Sequence, residues 1–245
     1  MKVSVFVLVA LLLSQPLAAE QIFRSPERQT TLVELYTSEG CSSCPTADKW
    51  FSSLVTAPGL FQDFIPVAFH VDYWNYLGWE DRFSSPLFAE RQRQYKRQGS
   101  ANGVYTPGVM ASGQEWRSWR RSPGRIPSGE NRSGILELVL AGRDFEASLA
   151  GAPGAVLYGP LQLNVALLGF GLASSVESGE NSGRHLRHDF VVLGHAEFLA
   201  SDGQWAGDLP QAPRAGEAER LAVVAWVSPS HRQQPLQAVG GWLQD

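Results

Sequence analysis

The sequence predicts two parts in tandem: an α/β domain whose Cys-x-x-Cys pair opens a helix, then an all-β, sandwich-like C-terminal region. Three observations predict this. Strand-like and helix-like periodicities alternate up to about residue 120. A Pro-, Gly-, Ser- and Arg-rich stretch, RRSPGRIPSGENR, then interrupts the chain. Beyond it the apolar runs are short, strand-like and punctuated by Gly, Asn and Pro. The expected divisions are a signal peptide over 1–19, the α/β domain over 28–120, a linker over 121–132 and the β-rich domain over 133–245.

Met1–Glu20 has a charged start at Lys2, a predominantly apolar run over Val3–Leu13, and small residues at Ala18 and Ala19. That is the layout of a cleavable signal peptide, with cleavage near Ala19. The run is shorter than the ~18–20 residues a spanning helix needs, and no second apolar run of membrane length follows. The expectation is a periplasmic or secreted chain with no membrane span after cleavage.

TLVELY, Thr31–Tyr36, reads as a buried strand, and Pro45–Leu54 as a helix with Ala47, Trp50, Phe51 and Leu54 on its apolar face. FIPVAFHVDY, Phe64–Tyr73, is a second strand, followed by an aromatic loop and a polar helix over Pro86–Gln98. Val104–Ala111 is a third strand, and Gln114–Trp119 a possible return after the Ser112-Gly113 turn. In the second half, ILELVLAGRDFEASLAG fits a hairpin turning at Gly142. LQLNVALLGFGL, HDFVVLGHAEFLA and RLAVVAWVSP are further strands, together suggesting a sandwich.

Hydrophobic residues make up 44% of the chain, charged residues 18%, and the formal net charge is −4. The composition is globular and supplies no global basic field, so nucleic acid is not an expected partner. The basic runs Arg91–Arg97 and Arg117–Arg125 read as a solvated helix face and as linker.

Cys41 and Cys44 are the only cysteines, in TSEGCSSCPTADKW. A bridge closing so short a loop removes little unfolded-chain entropy, so a Cys41–Cys44 disulfide is a poor staple. A dithiol between a strand and a helix start suits redox work instead. The helix dipole and its free N–H groups favour an anion there and draw a thiol pKa from about 8.5 toward roughly 3.5–7.5. Cys41 is expected to be the more exposed, attacking thiol and Cys44 the resolving one. No prosthetic cofactor is required. The partners would be a protein or small disulfide or dithiol substrate and a redox partner. A metal alternative also stands at this level: Cys41, Cys44 and His70 as a copper or zinc set for binding or delivery.

Several segments resemble known proteins. Residues 31–116 resemble a thioredoxin-like domain. VELYTSEGCSSCP, IPVAFHVDYWNYLGWEDRFSSPLFAERQRQY, VYTPGVMASG and GENSGRHLRHDFVV resemble the secreted proteins grouped as domain-of-unknown-function family 1223. The resemblance implies a thioredoxin-like fold with a second β-rich part and no particular substrate. It implies that Pro107, after Thr106, is a cis-proline packed against the dithiol and shaping a substrate groove. It also implies that Glu34 is the buried acid that deprotonates the second cysteine. Two departures from ordinary thioredoxin are Ser42-Ser43 in place of Gly-Pro and a long insertion before Thr106-Pro107.

Other candidates carry less. His70 and Asp72 leave one face of their strand and read as a hydrogen-bonded couple. Tyr73, Trp74, Tyr76 and Trp79 would line a substrate groove or pack the insertion onto the domain. His185, His188 and His195 read as turn and strand-surface histidines.

Overall fold

The computed structural model describes residues 20–122, 124–129, 131–151 and 159–244. The segment expected to be a signal peptide, 1–19, lies outside the described residues. Among those described, fourteen strands outweigh two α-helices.

The first half supplies β1 (Gln21–Arg24), β2 (Thr31–Thr37), α1 (Pro45–Ser53), β3 (Phe64–His70), α2 (Pro86–Arg97), β4 (Gly108–Ala111) and β5 (Gln114–Glu115). Pro45 starts α1, where its missing N–H is not needed. Ser85 caps α2, its hydroxyl accepting from the Leu87 N–H at 3.3 Å, and Pro86 follows. Lys96 and Arg97 meet the negative end of the α2 dipole. The expected return strand after Ser112-Gly113 is only two residues long. A 3-10 turn, Arg117–Arg120, replaces the rest and brings Trp119 onto Trp50 at 4.9 Å.

The second half contributes the hairpin β6 (Ile135–Ala141) and β7 (Asp144–Ala150), which turns at Gly142 (φ 66°) as its sequence indicates. Then come β8 (Leu161–Phe170), β9 (Leu172–Ser175), β10 (His185–His188), β11 (Val191–Ala200), β12 (Gln204–Asp208), β13 (Arg220–Pro229) and β14 (Gln237–Trp242).

These strands overturn the expected α/β thioredoxin-like fold followed by a β sandwich-like region. One mixed eight-stranded sheet runs β14-β13-β8-β11-β3-β2-β4-β5 and draws on both halves of the chain. The junction is β11 against β3, parallel at Val191↔Ala68, with the Ala68 N–H bonded to the Phe190 carbonyl at 2.8 Å. The physical reason is edge satisfaction. β3 is buried throughout, and a bare edge there would strand backbone donors and acceptors away from water. Among the described residues two further sheets stand beside it, β1-β6-β7-β12 and the hairpin β9-β10.

Period-2 alternation lets β8 and β13 serve two cores at once. Leu161, Leu163, Val165 and Leu167, with Val223, Ala225 and Val227, meet Leu136, Leu138, Leu140, Phe145 and Trp205 of the four-stranded sheet. Ala166, Leu168, Phe170, Ala222, Val224 and Trp226 join the larger core around both helices. Each Leu, Val or Phe so buried contributes about 1.5–3 kcal/mol. On β2, Glu34 and Tyr36 face α2, while Thr37 faces α1.

Candidate functional site

β2 ends at Thr37 and the chain turns through Ser38-Glu39-Gly40 into the dithiol. The Cys41 N–H donates to the Ser38 carbonyl at 3.2 Å, and the Cys44 N–H to the Cys41 carbonyl at 3.1 Å. Gly40 is needed here because a Cβ would come within 2.9 Å of the Trp74 Cβ. Cys41 and Cys44 form a disulfide with Cα atoms 5.4 Å apart, and Cys44 occupies the N-cap position of α1 without a side-chain capping bond.

Both sulfurs are buried. Cys41 is 1% exposed and Cys44 0%, so Cys41 is not the open member expected from sequence. Only Ser42 and Ser43 reach solvent, with the Ser43 Oγ 3.4 Å from the Cys41 Sγ. The loop between β9 and β10 is hydrogen-bonded to the dithiol turn. The Asn181 amide donates to the Glu39 carbonyl at 2.8 Å and to the Cys41 carbonyl at 2.9 Å. The exposed Glu180 carboxylate accepts from the Ser42 N–H at 3.0 Å, and the Ser42 side chain together with that N–H holds its pKa below the usual range.

The Thr106-Pro107 peptide bond is cis. Pro107 is buried one residue beyond the last β2–β4 pair, Tyr36↔Gly108, at the end of β2 that feeds the dithiol. The Trp74 indole donates to the Thr106 hydroxyl at 2.7 Å, and the Tyr73 hydroxyl to Gln92 at 3.0 Å. The Trp79 indole donates to the Glu39 carboxylate at 2.8 Å. These three aromatic residues are half-buried and tie the insertion down, whereas Tyr76 is exposed.

Glu34 lies on the face of β2 away from α1. Its carboxylate accepts from Arg91 Nε at 2.8 Å and Nη2 at 3.2 Å, from the Tyr36 hydroxyl at 2.8 Å, and from the Tyr95 hydroxyl. Arg91 is thus not part of a solvated helix face but a buried counterion, only 5% exposed. Its guanidinium lies 5.1 Å over the Trp226 ring and also bonds Gln233, joining the two halves of the chain. His195 stacks on the same Trp226; burial, then the Arg91 charge, push its pKa down to about 3.

On the α1 side the structure gathers Asp48, Asp81 and Glu39, which sequence reasoning missed, around His70 and His188. His70 pairs with Asp81, not Asp72: its Nδ1 lies 2.7 Å from Asp81 Oδ2. Burial opposes the charged imidazole, but the Asp81 charge and hydrogen bond raise the His70 pKa overall. His188, far from a surface histidine, is buried with its ring 5.0 Å from that of His70. Its Nε2 stands 3.3 Å from Glu39 Oε1 and its Nδ1 3.8 Å from Asp48 Oδ2, within ion-pair reach but without hydrogen-bond alignment. The Thr37 hydroxyl donates to Asp48 Oδ1 at 2.7 Å. One signal was available: Asp48 follows Cys44 by four residues, one turn along the same helix face. The contribution of His188, 140 residues further on, left no local trace.

Cys41, Cys44 and His70 do not converge as ligands. Among the described residues no group of three or more His, Cys, Asp or Glu side chains is placed to hold a metal ion. No helix among them is long and apolar enough to cross a membrane.

Two solved structures are similar in fold. A protein of Agrobacterium tumefaciens, AGR_C_4864, is 22% identical with a TM-score of 0.59, the match covering 90% of this chain and 99% of that one. HBP35 of Porphyromonas gingivalis is 13% identical with a TM-score of 0.52, covering 88% and 76% respectively. No curated protein matches the chain. The family described as "Protein of unknown function (DUF1223)" matches residues 32–228, most of the chain, and this protein therefore belongs to that family.

Proposed function

We propose that this protein is an exported thiol–disulfide oxidoreductase acting through the Cys41–Cys44 pair. The observation that carries the proposal is the placement of the chain's two cysteines, bonded to each other at the first turn of α1. A bridge closing so short a loop adds little to stability, while a helix N-terminus favours the thiolate that disulfide exchange needs. Pro107 and Thr106 flank the end of β2 beside the dithiol, where a substrate strand or small disulfide would dock. An oxidising compartment suits a disulfide held as the resting form, in line with the signal-like start of the chain.

Cys41 is buried and Asn181 holds its carbonyl, so in this reading attack on the Cys41 Sγ goes with opening of the turn. The test is equilibration of the pair against glutathione buffers, with turnover of a model disulfide measured alongside. A reversible two-electron transition is expected, with turnover abolished in Cys41→Ala. Wild-type turnover by Cys41→Ala would sink the proposal.

A further inference from the structure

Opening the Cys41–Cys44 bond creates charge in a place that water does not reach. When an outside thiolate attacks the Cys41 Sγ, a new S–S bond forms and the Cys41–Cys44 bond breaks. The electron pair stays on the Cys44 Sγ. Cys44 is fully buried, so desolvation opposes the anion there against the pull of the helix start. The thiolate needs a proton from inside the protein.

Asp48 is placed to supply it. Its backbone N–H bonds the Cys44 carbonyl at 3.0 Å, so the two side chains occupy the same face of α1 one turn apart. The residue is 6% exposed, and its Oδ2 has no hydrogen-bond partner among the described residues. On the other face of β2, Glu34 has both carboxylate oxygens committed to Arg91 and two tyrosines. Resting on the dithiol reading above, we propose that Asp48 is the proton donor and acceptor for Cys44, and that His188, set between Asp48 and Glu39, positions it and links it to Glu39.

The step balances. The Asp48 O–H bond breaks, the Cys44 S–H bond forms, and Asp48 is left as a carboxylate facing the Thr37 hydroxyl and the His188 ring. In the reverse direction the carboxylate takes the Cys44 proton, and the thiolate attacks the mixed disulfide at Cys41. In the forward direction the second thiolate of the outside dithiol attacks its own sulfur in the mixed disulfide; the bond to Cys41 breaks, the electron pair stays on the Cys41 Sγ, and the dithiol, having supplied two electrons, leaves as its own disulfide. The groups facing Asp48 are Thr37 from β2, His70 from β3, His188 from β10, Asp81 from the loop after β3, and, through His188, Glu39 from the turn. Burial raises the Asp48 pKa, and the pull of the two histidines does not cancel it. That favours the neutral carboxyl a donor requires. Glu39 moves the other way: burial raises its pKa, but His188, Ser174 and Trp79 bring it below the usual range.

The test follows reduction of the oxidised full-length protein by dithiothreitol, read by thiol alkylation as a function of pH. Asp48→Asn is expected to slow reduction by about 10²-fold and lose the carboxyl inflection, with Asp48→Glu restoring most of both. His188→Gln is expected to keep the inflection but shift it to higher pH, since it removes a neighbour that lowers the Asp48 pKa. If Asp48→Asn does not fold, the His188→Gln shift decides, and an unmoved inflection overturns the proposal. Wild-type rate and profile in Asp48→Asn overturns it too, while leaving the dithiol reading intact. A wild-type disulfide that dithiothreitol opens only after unfolding overturns both.

Discussion

Replacing Glu34 by Gln isolates the buried ion pair from the redox chemistry. Glu34 is 0% exposed and Arg91 5%, so neither charge has water as a substitute partner. The carboxylate accepts two bonds from Arg91 and one each from Tyr36 and Tyr95. A glutamine keeps the shape, but its NH2 end must face at least one of those donors, and the Arg91 charge is left uncompensated. Breaking a buried pair in this way costs about 3–5 kcal/mol. At about 2–4 °C per kcal/mol for a chain of this size, the melting temperature should fall by about 6–20 °C. Urea unfolding followed by tryptophan fluorescence measures the loss. The paired replacement Glu34→Leu with Arg91→Met removes both charges and should recover most of it. A loss below about 1 kcal/mol, the scale of an exposed pair, would refute the reasoning. Glu34→Gln should also leave the pH profile of disulfide reduction unchanged, because its side chain is across the sheet from α1.

Two further outcomes follow from the site. The His70–Asp81 pair stabilises the fold while His70 is protonated. Its folded pKa is raised, so that stabilisation is complete below the unfolded value, about 6.5, and fades as pH rises through the folded value. Urea midpoints from about pH 6 to about pH 9 should decline in wild type and lose this decline in Asp81→Asn; parallel curves would count against it. Asn181→Ala removes two bonds from the dithiol turn. It should cost about 1–3 kcal/mol and speed reduction by dithiothreitol several-fold, and an unchanged reduction rate would show that Asn181 does not hold the turn closed.

Local features were legible in the sequence because they have local causes. Pro45 beside a 3.6-period apolar face places α1, and Ser85-Pro86 starts α2. The Gly142 hairpin and the long strands β8, β11 and β13 follow from turn chemistry and apolar runs. The dithiol at a helix start was likewise readable from spacing alone. What misled was partnership. A strand's pattern states that both its faces are buried, not which sheet covers them. Nothing in Val191 or Ala68 announces that they pair.

The charged residues show the same division. Arg91 reads as one of several solvated arginines, and only tertiary packing brings it to Glu34, 57 residues away. His188 looks like a turn histidine until β9 and β10 fold it between Glu39 and Asp48. By itself, then, the sequence determined the dithiol, its helix, the strand-rich second half and the family to which the chain belongs. Tertiary structure decided that both halves share one sheet, which acids lie on the dithiol's side of it, and that the sulfurs are covered. The physical reason is that propensity and periodicity act over a few residues. The pairing of sheet edges and buried charges is chosen among distant segments by desolvation, which no local pattern records.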